Sequence, residues 1–452
     1  MEPPATTAEN EEGSSIATTV TKKQRLRSIE KSRTSTCRFA DLVAESVIQV
    51  YRQLDIPDLE AEEALRGQGS QTCVSAIVML EQPDCLTVCS IGIGTKIVPE
   101  DVAKSDSEGK RVYDSHAEVL ARRGFVRFLY AQSRAWRSRL PSIFQTGVFP
   151  LQLRNDITFH LYCSSAPCGN ACVRRWAKGL SETYAEDIGP FQWPQNPHPR
   201  FLVHSPLQVA VLCKVQATRI GETNVTDGEG ISSSSKGGVD PLEIPPGTAL
   251  PGTAQASSRA TCSDKVARWC AIGLEGTLFS SLMSVAAGPI RLSTVVAGRK
   301  FSRLHMERAI CCRLMSFWSK DQPHPASLCT SVKLHEGGYS QEDKAKFTDF
   351  ALVWALEWDE QGPAEILKPS EGLPILGTNV ECSKVSRSAL MDLFAKEAKA
   401  LNLPVAIPDR FSQEAYVELK KSVHPSGRRQ NLELLVSKCL KDWPRYRFRE
   451  VA

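Results

Sequence analysis

Residues 114–130 read DSHAEVLARRGFVRFLY, and this stretch decides the fold class. Its apolar residues recur at the spacing of one helix face, at Val119, Leu120, Phe125, Phe128 and Leu129. Two strand-like runs precede it, Val74 to Leu80 (VSAIVML) and Leu86 to Ile93 (LTVCSIGI), and a third, Thr158 to Cys163 (TFHLYC), follows it. Strands that alternate with helices in this way predict an α/β fold with helices packed on a mixed sheet.

The regions around this core differ in character. Residues 1–36 lack hydrophobic periodicity and combine an acidic start with clustered Lys and Arg, so we expect a disordered tail. Helical spacing begins at Phe39, and we expect one folded domain over residues 37–452. Residues 221–260 contain 21 Gly, Pro, Ser or Thr and no aromatic residue, which predicts a low-complexity insertion within that domain.

Composition excludes several classes of protein. The chain has 452 residues, of which 42% are hydrophobic, and this is enough to bury a substantial core. Its longest apolar runs, such as Leu207 to Cys213, fall far short of the roughly 20 residues that span a bilayer. The net charge of +4 is a mild excess. The acidic, polar N-terminus is unlike a secretory signal, so we expect reduced cysteines and a cytoplasmic or nuclear location, or both.

His116 and Glu118 form an H-x-E triplet at the start of the predicted helix. A neutral imidazole is a good zinc ligand, and a carboxylate two residues later points elsewhere, free to move protons beside a metal-bound water. One triplet is a weak signal, because a chain with this many His and Glu residues contains one by chance about every second time. A metal hypothesis therefore needs further ligands.

Cysteines at predicted helix starts supply candidates. Cys168 lies in the segment SSAPCG after the strand TFHLYC, where a helix dipole favours the thiolate. H-x-E followed about 50 residues later by P-C is the order found in zinc-dependent nucleobase deaminases, whose usual second motif is P-C-x-x-C. Ala171 occupies the position of the last cysteine, and Cys172 comes one residue too late. Cys262, in a predicted capping box that begins at Thr261, is the other candidate; spacing does not choose between them, and packing arguments modestly favour Cys262.

Four ordered segments together resemble the adenosine deaminases acting on RNA, a family that includes double-stranded RNA editing enzymes and tRNA adenosine deaminases. The segments are SIGIGTK (90–96), DSHAEVLARRGFVRFLY (114–130), FHLYCSSAPCG (159–169) and CSDKVARWCAIGLEGTLFSSL (262–282). The resemblance implies a cytidine-deaminase-like mixed sheet with helices on both faces, elaborated by a C-terminal extension. It also implies that His116, Cys168 and Cys262 bind zinc, that Glu118 shuttles protons, and that Cys172 is not a ligand.

The activity implied by this resemblance is hydrolytic deamination of adenosine to inosine in RNA. A zinc-activated water would attack C6 of the adenine while Glu118 moves a proton from the water to N1. The base must leave its stack to reach a buried metal. Family members hold the nucleotide with polar residues around the GTK segment, so the resemblance implies that Thr95 and Lys96 contact the substrate.

The resemblance further implies a buried structural cofactor, inositol hexakisphosphate, which requires converging cationic side chains. The matching positions are Arg122, Arg123, Lys265, Arg268 and Trp269, with Arg387, Tyr416, Lys420 and Trp443 by weaker similarity. From Tyr416 to Ala452 the chain has nine Lys or Arg against four acidic residues, interleaved with aromatic ones. The residues alone favour RNA phosphate binding there, and only the resemblance directs them to a buried polyanion.

The chain departs from the family pattern at several positions. Asn170 replaces a common Asp, Tyr113 replaces a small or polar residue, and Ser426 and Gln430 replace a Tyr and a Lys. These departures affect individual phosphate contacts and leave the proposed metal ligands intact. The insertion before Cys262 replaces an RNA-facing loop, so no base-flipping residue is identified.

Double-stranded RNA editors carry RNA-binding domains ahead of the deaminase, whereas here only residues 1–36 precede it. This favours the tRNA branch, and within it the adenosine immediately 3′ of the anticodon of alanine tRNA. The alternatives are double-stranded RNA editing and a non-catalytic zinc- and RNA-binding subunit, which would be free to lose Glu118. The long spacing from Cys168 to Cys262 disfavours a cytidine deaminase.

Overall fold

The structure is a computed structural model, and it describes part of the chain. The described residues are 38–67, 71–168, 171, 260–299, 301, 306–311, 314, 327–330, 347–356, 364–375, 382–423, 430–431 and 433–435. Several predicted features lie outside the described residues, namely the expected tail (1–36), all but the last residue of the expected insertion (221–260), Cys172 and Trp443. So do almost all residues of the helix predicted to begin near Cys168.

An eight-stranded mixed sheet organises the described residues. In chain order the elements are α1 (38–53), α2 (Leu59–Leu65), β1 (Val74–Glu81), β2 (Cys85–Ile93), β3 (Thr95–Ile97), α3 (Glu100–Ser105), β4 (Asp114–His116), α4 (Ala117–Arg137), β5 (Ile157–Ser165), α5 (Cys262–Ile272), α6 (Gly276–Ser280), β6 (Leu292–Arg299), a π-helical turn (Glu307–Cys311), β7 (Ser327–Thr330), β8 (Ala351–Ala355), β9 (Ala364–Lys368), β10 (Leu373–Pro374), α7 (Arg387–Ala400) and α8 (Gln413–Ser422).

The strand order across the sheet is β10-β9-β8-β2-β1-β5-β6-β7. The two pairs β5–β6 and β6–β7 are parallel, and the other neighbours are antiparallel. Strands β3 and β4 form a separate antiparallel pair. The α/β mixed sheet predicted from the sequence is therefore confirmed, and the three strand-like runs all form strands within two residues of the predicted bounds.

Strand alternation gives the sheet two buried faces. On β1, Ala76 and Val78 point to one face and join a core that includes Val43 and Val47 of α1. We call this the rear face, and α1 and α2 cover it. The alternate residues, such as Ile77, join a core formed with α4 and α5 on the opposite face, which we call the site face. Helices thus cover both faces of the sheet, as predicted.

Helix α4 packs against the site face because two glycines let the backbone approach closely. A Cβ atom on Gly92 would lie 2.2 Å from the carbonyl oxygen of Ala117 in α4. A Cβ on Gly94 would lie 2.2 Å from the carbonyl oxygen of Ser115, and Gly94 also has a φ of +151°. The two glycines of SIGIGTK therefore seat β4 and the start of α4 on the sheet.

Helices α7 and α8 add to the site-face core. Met391 and Phe394 of α7 and Leu419 of α8 are buried in it, and α7 packs against α4 and α6. The C-terminal helices therefore bring additional side chains to the side of the sheet that carries α4.

Among the described helices, none combines the length and the apolar character of a membrane-spanning segment.

Candidate metal centre and catalytic site

Three chain segments bring one imidazole and two thiols together. His116 ends β4 and caps α4, Cys168 follows β5, and Cys262 is the first residue of α5. The candidate ligand atoms of these side chains all lie within 4.8 Å of one another. One nitrogen and two sulfur donors suit tetrahedral Zn²⁺ with a fourth position left for water or substrate. The described residues therefore fit a zinc ion; Cys172 lies outside them.

Asp114 orients the imidazole. Its Oδ1 accepts a hydrogen bond from the backbone amide of His116 at 3.0 Å and lies 2.8 Å from His116 Nδ1. If Nδ1 donates to this carboxylate, Nε2 keeps the lone pair that a metal requires. Burial disfavours the charged carboxylate, but Lys265 and His116 outweigh burial and hold the pKa of Asp114 well below its usual range.

The pKa of His116 is raised by its neighbours. Burial lowers it, but the Asp114 carboxylate and the Cys168 thiol raise it by more. A metal ligand must be neutral imidazole, so metal binding at this site would displace a proton from His116.

The start of α5 fixes the two cysteines beside each other. Thr261 Oγ1 accepts a hydrogen bond from the amide of Asp264 at 3.2 Å, and Asp264 Oδ2 accepts one from the amide of Thr261 at 2.8 Å. This is the capping box that the sequence predicts. The Cys262 amide donates to Cys168 Sγ at 3.4 Å, and the Ser263 amide donates to the Cys168 carbonyl at 3.0 Å. One helix-terminal amide therefore donates to the Cys168 sulfur, a contact of the kind that favours a thiolate, and a second holds the Cys168 backbone in place.

Glu118 is a buried carboxyl next to these ligands. It lies in the first turn of α4, and only 6% of its surface is exposed. Burial raises the pKa of Glu118 to about 7, Cys168 adds to this effect, and His116 opposes it. A carboxyl that exchanges protons near neutral pH suits general acid–base catalysis. A bound dication would favour the carboxylate form and lower this pKa.

Lys265 connects α5 to the same centre. Its ammonium forms an ion pair with Asp114 Oδ2. Burial lowers the pKa of Lys265, but Asp114 and Cys262 raise it by more, so the ammonium stays charged. The family resemblance implies that Lys265 binds a buried polyanion. In the structure, at least one of its three donors binds Asp114, the carboxylate that orients His116.

The predicted substrate residues lie beside the centre. In the β3–β4 pair Thr95 is directly opposite His116, and Lys96 is opposite Ser115. Thr95 Oγ1 is buried and lacks a hydrogen-bond partner among the described residues, as does Ser115 Oγ. A buried hydroxyl without a partner costs free energy, which a hydrogen bond from Thr95 Oγ1 to a ligand atom or a water would recover. Lys96 forms an ion pair with Asp349.

Basic and aromatic side chains from four helices converge elsewhere on α4, and we call them the basic cluster. Its members are Arg122, Arg123, Arg268, Trp269, Arg387, Tyr416 and Lys420. The guanidinium carbon of Arg122 lies 5.8 Å from the ring centre of Trp269, and Lys420 Nζ lies 5.1 Å from that of Tyr416. Arg122 Nε also donates to the Leu274 carbonyl at 2.8 Å.

Repulsion within the basic cluster is visible in its pKa values. Tyr416 raises the pKa of Lys420, but burial and three guanidinium groups lower it overall. Those groups belong to Arg268, Arg122 and Arg387. Burial likewise lowers the pKa of Arg123 to about 10, against an opposing effect of Tyr416. Like charges in a partly buried site cost free energy unless an anion compensates them, so this donor set fits a polyanion.

Tyr113, one of the departures from the family pattern, packs on the basic cluster. The guanidinium carbon of Arg387 lies 4.1 Å from the centre of the Tyr113 ring, and Arg387 Nη1 donates to Gln413. The Tyr113 hydroxyl donates to the carbonyl of Asp106 at 3.4 Å. The bulky ring therefore gives Arg387 a stacking surface.

Asp114 is the functional residue that sequence reasoning missed. Every second side chain of a strand points to the same face, so D-x-H spacing within β4 places Asp114 and His116 on one face. That spacing is the signal that could have identified it, once 114–116 is recognised as a strand.

Comparisons with known proteins match most of the chain to one family. The family description "Adenosine-deaminase (editase) domain" matches residues 90–446. A mouse protein named "Double-stranded RNA-specific adenosine deaminase" is 31% identical over 246 residues, which cover 53% of this chain and 18% of the mouse protein.

Two relatives carry a tRNA-specific name. The Drosophila melanogaster protein "tRNA-specific adenosine deaminase 1" is 31% identical over 289 residues, 61% of each chain. The human protein of the same name is 28% identical over 295 residues, 50% of this chain and 57% of the human one. The chain therefore spans less than two thirds of the length of each of these relatives.

Proposed function

The chain belongs to the adenosine-deaminase (editase) domain family, and on that premise we propose that it hydrolyses adenosine in RNA to inosine and ammonia. The observation that carries the proposal is the meeting of the His116, Cys168 and Cys262 ligand atoms within 4.8 Å, with the buried carboxyl of Glu118 beside them.

Each residue of the site has a role in this chemistry. His116, Cys168 and Cys262 would hold a zinc ion, which when bound would supply Lewis acidity toward water. Glu118 takes a proton from the water and delivers it to N1 of the adenine, then helps ammonia to leave. Asp114 holds the imidazole in the tautomer that binds metal. The net reaction consumes one water and releases one ammonia.

The proposed substrate is tRNA, and specifically the adenosine immediately 3′ of the anticodon of alanine tRNA. Support comes from the two relatives named for tRNA, each of which aligns over more than half of its own length. Thr95, opposite His116, is proposed to bind the nucleotide through its buried hydroxyl, and Lys96 is proposed to bind a phosphate. A folded RNA of this kind is recognised by shape, phosphates and splayed loop bases.

Double-stranded RNA is the second candidate substrate. It is favoured by the match to the mouse double-stranded RNA enzyme and by a Drosophila protein named "Double-stranded RNA-specific editase Adar", 29% identical over 308 residues. The two candidates predict different preferences between a tRNA and a perfect duplex.

A buried inositol hexakisphosphate is proposed as a structural cofactor. The basic cluster would hold it, since a polyanion offsets the repulsion among Arg122, Arg268, Arg387 and Lys420. Total phosphorus in the purified protein, measured after exhaustive dialysis, tests this proposal; phosphorus-free protein with a normally folded basic cluster would contradict it.

The experiment that tests the function incubates purified protein with an unmodified alanine tRNA transcript and, separately, with a perfect RNA duplex. Inosine is read as guanosine after reverse transcription. We expect conversion at the position 3′ of the anticodon, and conversion roughly 10³-fold slower with Glu118→Gln. Conversion of the duplex alone would favour the second candidate, and unchanged adenosine in both RNAs with zinc bound would contradict the proposed activity.

A further inference from the structure

Lys96, the residue proposed to bind an RNA phosphate, forms an ion pair with an exposed acidic residue. The ammonium of Lys96 on β3 forms an ion pair with the carboxylate of Asp349. The lysine side chain is only 12% exposed, whereas that of Asp349 is 83% exposed. The pair therefore places a solvent-facing negative charge directly over a mostly buried positive one.

The backbone holds Asp349 in this place. The amide of Thr348 donates to the Gln71 carbonyl at 3.0 Å, and the amide of Phe350 donates to Thr348 Oγ1 at 3.1 Å. Strand β8 begins two residues later and pairs with β2, the strand that leads into Lys96. Asp349 is thus fixed at its backbone, and only its carboxylate end is free to change partner.

A second lysine lies within the electrostatic reach of Asp349. Lys368 on β9 pairs with Glu371 at 2.7 Å, and this pairing raises the pKa of Lys368, with a smaller contribution from Asp349. We call Lys96, Asp349, Lys368 and Glu371 the rim; each of its two lysines is paired with a carboxylate. Such a rim offers less attraction to a nucleic acid than its lysines alone would give.

Phosphate and Asp349 are both attracted to the Lys96 ammonium, and their negative charges repel each other there. Because the Asp349 carboxylate is 83% exposed, water solvates it when it leaves the pair, and a phosphate oxygen delivered to Lys96 can displace it. A phosphate that is not positioned by other contacts meets the repulsion of Asp349 instead. The competition penalises loosely bound RNA more than RNA whose shape brings a phosphate to Lys96.

We propose that Asp349 is a specificity-determining residue that withholds Lys96 from RNA until a correctly shaped substrate displaces it. The proposal rests on the proposed function, because it takes RNA as the ligand of this rim. The alternative is a purely structural role, in which the Lys96–Asp349 pair only attaches the segment before β8 to β3.

Binding measurements separate these two roles. Affinities for the alanine tRNA transcript and for an unstructured RNA of equal length are measured over a range of salt concentrations with wild type and Asp349→Asn. We expect Asp349→Asn to bind the unstructured RNA roughly threefold to tenfold more tightly, to gain less for tRNA, and to steepen the log–log salt dependence by about 0.7. Glu418→Gln removes an exposed acid from another surface pair, with Lys421, and is the matched control.

A double-mutant cycle shows whether the effect passes through Lys96. In the Lys96→Met background, Asp349→Asn is expected to give no gain in affinity. An unchanged affinity and salt slope in Asp349→Asn, a gain that persists in Lys96→Met, or a loss of affinity with a lowered melting temperature would each overturn the proposal. RNA binding is measured without turnover. The result for Asp349 can therefore be interpreted separately from a failure of the deamination assay.

Discussion

The two faces of the sheet treat buried ionisable groups in opposite ways. On the site face, Asp114 and Lys265 are buried as a charged pair, and each stabilises the charge of the other. On the rear face, burial lowers the pKa of His160 to about 4 and raises that of Tyr162, so both groups are neutral at pH 7. His160 Nδ1 and Tyr162 Oη also lack hydrogen-bond partners among the described residues.

This difference indicates that the rear face contributes mainly to stability and the site face mainly to chemistry. Rear-face residues pack α1 and α2 on the sheet, and their polar groups are tolerated because they stay uncharged. The Asp114 and Lys265 charges on the site face persist because each is the partner of the other, at a cost in desolvation that packing elsewhere must offset. Substitutions on the rear face should therefore alter folding, whereas substitutions on the site face should alter catalysis and metal binding.

The largest effect is expected from Glu118→Gln. Loss of the proton shuttle should slow inosine formation by roughly 10³-fold, within the range that general acid–base groups supply. Because the change also removes a buried ionisable group, the free energy of unfolding should stay constant or rise. Single-turnover rates and urea unfolding are the measurements. Wild-type turnover in this variant would refute the proposed role.

Metal content distinguishes the two cysteine candidates. Cys262→Ser should retain little of the roughly one zinc ion per chain expected for a three-ligand site. Cys172→Ser is the matched control and should keep it. Zinc analysis of the purified variants gives the answer directly, and the reverse pattern would show that the third ligand was chosen wrongly.

Rear-face packing is tested by Leu65→Ala in α2. Leu65 is 0% exposed, so the truncation should lower the free energy of unfolding by about 3 kcal/mol. Leu59→Ala lies in the same helix at 72% exposure and should change it by less than about 0.5 kcal/mol. The zinc content and turnover per folded molecule should stay normal in both. A catalytic defect in folded Leu65→Ala would break the separation of the faces.

Asp114→Asn probes the orientation of the imidazole. We expect zinc affinity to fall by roughly 10-fold to 100-fold, as for other residues that orient metal ligands. Competition with a chromophoric chelator measures the affinity, and Lys265→Met should produce a smaller loss because it acts through Asp114. Equal zinc affinity in wild type and Asp114→Asn would contradict the orienting role.

The smallest effect concerns pH and His160. The pKa of His160 is about 4 when folded, below its ordinary value of 6.5, so the unfolded chain takes up the proton first. Stability from this group is complete above the unfolded pKa and is lost as pH falls toward the folded one. Between about pH 7.5 and about pH 5.5, wild type should lose about 1 kcal/mol more than His160→Gln. Parallel pH profiles for the two proteins would contradict this assignment.

Local patterns predicted the local elements. Helical spacing from Phe39 predicted α1, and Thr261 with Asp264 predicted the capping box of α5, because both signals depend on neighbours within one or two turns. Resemblance, and not spacing, favoured Cys262 over Cys172. Long-range pairs gave no such signal: Asp114 and Lys265 are 151 residues apart, and Lys96 and Asp349 are 253 apart. Their pairing follows from the sheet topology, which brings β3, β4, α5 and β8 together.

The central claim is that the site face is a zinc-dependent adenosine deaminase. The most direct measurement plots inosine formed per chain in the alanine tRNA transcript against zinc bound per chain, in samples stripped and reloaded in steps. The account predicts a proportional increase for wild type, and a zinc-loaded Glu118→Gln protein that forms inosine roughly 10³-fold more slowly. Full activity without zinc, or fully loaded wild type that leaves every adenosine unchanged in both tRNA and duplex RNA, would contradict it.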